Sequence, residues 1–156
     1  MGHVSNYLFY LIPIAAGIAF LASLTIFSRP ARERYLKYLS IFLLINFLVE
    51  IGLGYMALAA INNVFLSNIE TMLVISFDLF LVREIVIRKS SKTFLSYNVV
   101  CYPLFSLINI FFIQPGLFHT ISYGIGCLLI VAACMYYFWE LFQQRNSPDL
   151  VRQPAF

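Results

Sequence analysis

Apolar stretches of about twenty residues, each closed by a short polar break, repeat along the chain, and a helix that crosses hydrocarbon needs a run of about that length. The first run covers residues 8–27 and ends at Ser28-Arg29-Pro30. The second covers 36–60, with the polar pair Asn62-Asn63 marking the turn after it. The third covers 65–87, its end blurred by Arg83 and Glu84, whose long side chains reach toward the headgroups. The fourth covers 94–113 and stops at Gln114-Pro115-Gly116, a strong turn signal. The fifth covers 118–142. This pattern predicts an all-α integral membrane bundle of five transmembrane helices, with residues 1–156 forming a single transmembrane domain. The short loops and tails leave no room for a soluble catalytic domain.

Composition removes the other classes. Of 156 residues, 62% are hydrophobic and 11% charged, against about 25% charged in an ordinary soluble domain. A net charge of +3 in so apolar a chain argues against a nucleic-acid partner. The bilayer is the expected partner, with a second copy or another membrane protein beside it.

The position of the charges says more than their number. Arg29, Arg32, Arg34 and Lys37 lie between the first and second runs, and Arg83, Arg88, Lys89 and Lys92 between the third and fourth. Arg145 and Arg152 follow the fifth. With five spans, all ten basic residues fall on one face, which the positive-inside rule makes cytoplasmic. The amino terminus is then outside and the carboxyl terminus inside. Aromatic residues expected at the interfaces agree: Tyr7 and Tyr10, Tyr35 and Tyr38, Tyr97, and Tyr136, Tyr137 and Trp139. No basic residue precedes the first run, so it reads as a retained helix rather than a signal peptide.

Acids inside apolar runs are the candidates for chemistry, because an ionised carboxylate in hydrocarbon is costly and must pair, face the interior or be protonated. Glu50 lies in the second run, Glu70 and Asp78 in the third. Glu50 is about twelve residues before the Asn62-Asn63 turn and Glu70 about eight after it, so at about 1.5 Å rise their depths differ by about 6 Å. Asn46, Glu50 and Gly54 share one helix stripe, and Gly52 with Gly54 lets a neighbour approach. Asn68 and Tyr55 lie near the outer end of the same hairpin, Asn109 near the outer end of the fourth run, and His119, Ser122 and Tyr123 at the start of the fifth.

These residues outline a polar pocket in the outer half, built on Glu50, Glu70, Asn46, Asn68, Asn109 and His119, with Asp78 as a secondary candidate. The competing reading makes the acids protonated packing contacts between helices. Glu84 and Glu140 read as interfacial. His119 and the two acids come from separate elements without metal-ligand spacing, so no metal is expected, and no cofactor is implied. No HExxH, GxSxG or phosphate-binding glycine loop occurs, which argues against an enzyme. Cys101, Cys127 and Cys134 lack CxxC spacing and read as small packing residues. Pro103 interrupts the fourth run, and Ala15, Ala19 and Ser23 make a small-residue packing stripe on the first.

Four stretches together carry a resemblance: Val49-Glu50-Ile51-Gly52, Asn62-Asn63 followed by Asn68-Ile69-Glu70, Leu107-Ile108-Asn109-Ile110-Phe111-Phe112-Ile113-Gln114, and Tyr137-Phe138-Trp139-Glu140-Leu141-Phe142. The chain resembles a group of multi-pass membrane proteins of Bacteroidetes-type bacteria that has no assigned activity. The resemblance implies a bacterial inner-membrane location and matches Glu50 and Glu70 to acids of that group. Members continue with further spans, so an end at Gln153-Pro154-Ala155-Phe156 implies a fragment or a short form. The function expected is ligand sensing or small-solute binding. A proton- or cation-coupled transporter subunit and a purely structural or partner-binding subunit are the alternatives.

Overall fold

The computed structural model describes residues 2–25 and 34–143, with side chains described for 11–25 and 36–143. Among them every regular element is helical: α1 (Gly2–Leu24), α2 (Arg34–Leu58), α3 (Val64–Ile85), α4 (Lys89–Ile108) and α5 (Thr120–Gln143), with one π turn over Asn109–Ile113 following α4 directly. Four stretches among the described residues are long and apolar enough to cross a membrane: Leu36–Leu58, Val64–Ile85, Lys89–Ile113 and Thr120–Gln143. In α1 the apolar stretch with described side chains, Leu11–Leu24, is shorter. Arg29, Arg32, Arg145 and Arg152, which helped to set the expected orientation, lie outside the described residues. The side chains of Tyr7, Tyr10, Arg34 and Tyr35 do so too.

Contacts divide the chain into two compact units, Met1–Glu70 and Thr71–Phe156. The boundary falls inside α3.

In the first unit α1 packs on α2. A Cβ added to Gly17 would stand 3.0 Å from the Phe47 ring, so glycine is what lets that ring lie against the α1 backbone. Ser40 Oγ donates to the Ser23 carbonyl at 3.1 Å, and both serines are buried. The buried face of α1 is therefore not the expected Ala15-Ala19-Ser23 stripe. Ala15 and Ala19 are exposed, while Pro13, Ala16, Gly17 and Phe20 are half-buried and Ser23 is buried. The face turned to α2 is rotated from that stripe toward Gly17, where the Phe47 ring needs the space.

The α2–α3 turn is closed by backbone geometry. Ile61 N–H donates to the Met56 carbonyl and Ala60 N–H to the Ala57 carbonyl, at 2.9 and 3.2 Å. This is a Schellman motif, whose left-handed position is normally glycine. Here Ala60 occupies it, at φ 55°. Asn62 Oδ1 then accepts from Val64 N–H at 3.0 Å, opening α3.

In the second unit Val86, Leu95 and Ala133 form a buried apolar cluster, with Val82 and Tyr137 against it. Gly126 is the close-approach point: an added Cβ would stand 2.8 Å from Ile75 Cδ1, Ile75 Cγ2 and Tyr102 Cε2. The fourth helix begins at Lys89 rather than at the expected residue 94. Lys89, Ser90, Ser91 and Lys92 look like a loop in sequence, but a carboxylate from α5 holds their helical start, as shown below. Pro103 sits within α4, which remains helical on both sides of it.

Two outcomes follow. Ala60→Gly relieves the left-handed strain and raises stability by about 0.5–1 kcal/mol, read as a higher midpoint of SDS-induced unfolding in mixed micelles. Gly126→Ala overpacks the contact with Ile75 and Tyr102 and lowers stability by about 1–3 kcal/mol in the same assay.

Candidate functional site

The first unit brings the two central acids together. Glu50 projects from α2 and Glu70 from α3 after the tight turn at Ala60, and their carboxyl groups meet side chain to side chain. Both are half-buried. An ionised carboxylate can only accept a hydrogen bond, so a bond between two carboxyls contains a proton. Asn46 sits one helical turn before Glu50, half-buried, and Asn68 is fully buried on α3. An added Cβ at Gly52 would stand 3.6 Å from Leu66 Cδ2, an ordinary contact, so the pairing of α2 with α3 does not depend on the glycine that the sequence singled out.

The second unit contains a polar seam between α4 and α5. Tyr102, Ser106 and Asn109 lie along one stripe of α4 and its π turn, and Ser122 opposite them on α5; all four are buried. Asn109 Nδ2 donates to Ser122 Oγ at 2.9 Å and to Gln114 Oε1 at 3.1 Å. Ser106 Oγ donates to Ser122 Oγ at 3.4 Å, and Ser122 Oγ donates to the His119 carbonyl at 3.2 Å. Asn109 and His119 thus belong to one network through Ser122. Two atoms of the seam, Asn109 Oδ1 and the Tyr102 hydroxyl, are buried without a hydrogen-bond partner among the described residues.

Local chemistry explains why the chain turns here. Gln114 N–H donates to the Asn109 carbonyl at 2.7 Å, which widens the last turn into a π turn, a distortion that recurs at functional sites. Pro115 and Gly116, at φ +72°, then make a turn closed by Leu117 N–H on the Gln114 carbonyl at 3.2 Å. Proline second and glycine third is the type II arrangement. The Gln114 side chain ties the loop back, donating to Thr120 Oγ1 at 3.0 Å and accepting from Ile121 N–H. His119 caps α5, its carbonyl accepting the first helical bond from Tyr123 N–H at 3.0 Å. The imidazole is fully buried beside the Phe118 ring, and that burial pushes its pKa below the ordinary histidine range.

A third cluster lies at the other end of the second unit. Glu140 is buried on α5, its Oε2 accepting from the backbone N–H groups of Ile87 and Arg88 at 3.3 and 3.4 Å. Its Oε1 accepts from Ser91 Oγ at 2.9 Å. A carboxylate from one helix therefore caps the start of another, where free N–H groups and the helix dipole both favour negative charge. Arg88 Nη1 donates to the Tyr136 hydroxyl at 3.4 Å, and Arg83 pairs with Glu84 and donates to Ser96 Oγ at 2.7 Å.

The candidate residues thus fall into separate groups, with Glu50, Glu70, Asn46 and Asn68 in the first unit and Asn109 and His119 in the second. Asp78 is half-buried on α3 and enters neither the Asn109 nor the Glu140 network. Among the described residues no three His, Cys, Asp or Glu side chains stand together as metal ligands. Sequence reasoning missed Tyr102, Ser106 and Gln114, and for Glu140, read as interfacial, it missed the burial and the cap on the start of α4. The only advance signal for Glu140 was its spacing from Tyr136, one helical turn earlier. No protein-family model, no curated protein and no solved structure matches the chain.

Glu140→Ala strips the Ile87 and Arg88 N–H groups of their acceptor and costs about 1–3 kcal/mol. Glu140→Gln, which keeps one carbonyl oxygen, costs less; SDS unfolding midpoints rank the two. For His119, the folded pKa lies below the unfolded one, so its contribution to stability is complete above about pH 6.5. As pH falls below that value the unfolded chain takes up the proton first, and the contribution is lost down to the folded pKa. Unfolding midpoints at pH 7.5 and pH 5 drop more for the native chain than for His119→Gln.

Proposed function

We propose that this chain is a small-solute-binding module of the bacterial inner membrane, anchored on the Glu50–Glu70 carboxyl pair. Five spans put the amino terminus outside, the basic loops in the cytoplasm and the acid pair in the outer half. The observation that carries the reading is the contact between the two carboxyls inside apolar helices. A pair that holds one proton is a site where a small cation or a protonated amine can replace it, because the same oxygens then face one positive charge. A second feature of the described residues has spare hydrogen-bonding capacity. It is the seam at Asn109, whose unpartnered oxygen is an acceptor for a hydrogen-bond donor.

The shared proton also favours a second reading, a proton- or cation-coupled carrier in which loading the cation releases that proton. A purely structural pair predicts neither binding nor flux.

Thermal unfolding of the purified protein against a panel of alkali cations and small amines separates these readings. A ligand at about a hundredfold its Kd stabilises the fold by about 2.7 kcal/mol. The expected result is one such stabiliser, lost in Glu50→Gln and in Glu70→Gln while both variants keep their helical content. Proteoliposomes with an internal pH dye then report whether binding is accompanied by proton movement. A panel without any stabiliser, together with variants that unfold like the native chain, overturns the binding module and leaves the structural role.

A further inference from the structure

Outside both polar clusters, the second unit contains a cavity of about 480 Å³ between α4 and α5 at their basic end. That volume falls within the range of about 300–1,000 Å³ usual for small-molecule sites. Its walls are apolar, with Leu79, Leu95, Leu129 and Ala133 among them, and Ser90 and Tyr136 stand on its rim. Phe94, 63% exposed, also lines it, so the cavity reaches the surface of the protein. The walls belong to helices long and apolar enough to cross a membrane, which puts the opening against lipid.

Charge at the rim is positive. Arg88 reaches the Tyr136 hydroxyl at 3.4 Å, and Lys89 and Lys92 occupy the first turn of α4. The neighbouring carboxylates have partners of their own inside the protein. Glu140 is turned inward onto Ile87 N–H, Arg88 N–H and Ser91, and Glu84 pairs with Arg83. One cation, Arg88, therefore stands at the rim through Tyr136, with Lys89 and Lys92 close by in sequence and the Glu140 carboxylate, held by its N–H donors, as the one acid near it among the described residues.

We propose that this groove holds one anionic phospholipid, an acyl chain between α4 and α5 and the phosphate beside Arg88. An acyl chain is the apolar solute at hand at that depth, and basic pockets between membrane helices suit anionic headgroups. Arg88, already held by Tyr136, is placed for the phosphate, and the Ser90 hydroxyl is a donor on the same rim. The assignment is independent of the Glu50–Glu70 pair.

Native mass spectrometry of the full chain from mild detergent tests it. The chain is titrated with phosphatidylglycerol, with phosphatidylcholine of the same acyl chains, and with glycerol 3-phosphate. One phosphatidylglycerol is retained per chain, phosphatidylcholine is held at least fivefold more weakly, and glycerol 3-phosphate is not retained. Arg88→Gln weakens phosphatidylglycerol retention about fivefold, the factor for one cation near an anionic surface. It leaves phosphatidylcholine unchanged. Ala132→Trp, at an exposed wall position, fills the slot and removes retention of both lipids. If the tryptophan variant loses its helical content, Arg88→Gln with Lys92→Gln decides the matter by the lipid ratio alone. Equal retention of the two lipids by the native chain overturns the proposal, as does retention unaffected by Arg88→Gln. Binding of glycerol 3-phosphate as tight as that of phosphatidylglycerol also overturns it, because a soluble anion would then be the ligand.

Discussion

Within hydrocarbon a polar group has no water to turn to, so each one that this chain places in an apolar helix has to be met by another protein group. That requirement accounts for most of the described architecture. In the first unit, Ser40 reaches across to the Ser23 carbonyl, and the carbonyls that α2 leaves open at its end are met by Ala60 and Ile61 N–H groups. The chain accepts a left-handed alanine to do so. In the second unit, the same requirement draws Asn109, Ser122 and Gln114 together and brings the Glu140 carboxylate onto the start of α4. Apolar contacts such as Val86, Leu95 and Ala133 fill the space around these bonds. They do not fix register, because lipid tails are as good a solvent for them as another helix.

The acids show two ways of meeting the requirement. Glu140 is buried, and hydrogen-bond donors occupy both its oxygens. Two of those donors are backbone N–H groups at a helix start, where the dipole adds to their attraction. Its role is to join α5 to α4, and through Arg88 and Tyr136 the basic end of the unit is tied once more. Glu50 and Glu70 instead satisfy one another. No fixed donor such as a backbone N–H takes part in that contact, because both groups are carboxyls.

Hydropathy made the four helices α2 to α5 legible within a few residues at most ends, because about twenty apolar residues in a row have few other uses. The start of α4 was not legible, since Lys89 through Lys92 are polar and their helical state depends on Glu140, about fifty positions away. The packing face of α1 was ambiguous for a similar reason. Ala15 with Ala19 and Ala16 with Phe20 obey the same spacing, and only Phe47 on α2 decides between them. Asn109 and His119 stood out as polar residues in apolar surroundings. Tyr102 and Ser106 did not, because serine and tyrosine are ordinary in membrane helices. The π turn that aims Asn109 at Ser122 is set by a single backbone bond, Gln114 to Asn109, and hydropathy has no trace of it.

The distinction that matters for function is between polar groups whose bonding capacity is used up and those with some left. Ser23, Ser40 and Glu140 have visible partners inside the protein, and nothing further is needed to explain their burial. Asn109 spends both its N–H donors on Gln114 and Ser122 while its side-chain carbonyl oxygen is buried with no hydrogen-bond partner among the described residues, and the Tyr102 hydroxyl is in the same position two turns earlier on the stripe. An apolar residue at either place would avoid the cost of that unmet group, about 1–3 kcal/mol. At the end of the seam burial lowers the His119 pKa, in keeping with surroundings that hold no charged side chain along the stripe. The Glu50–Glu70 pair differs in kind from the seam, because two groups of the same chemistry meet there rather than a donor and an acceptor of fixed type.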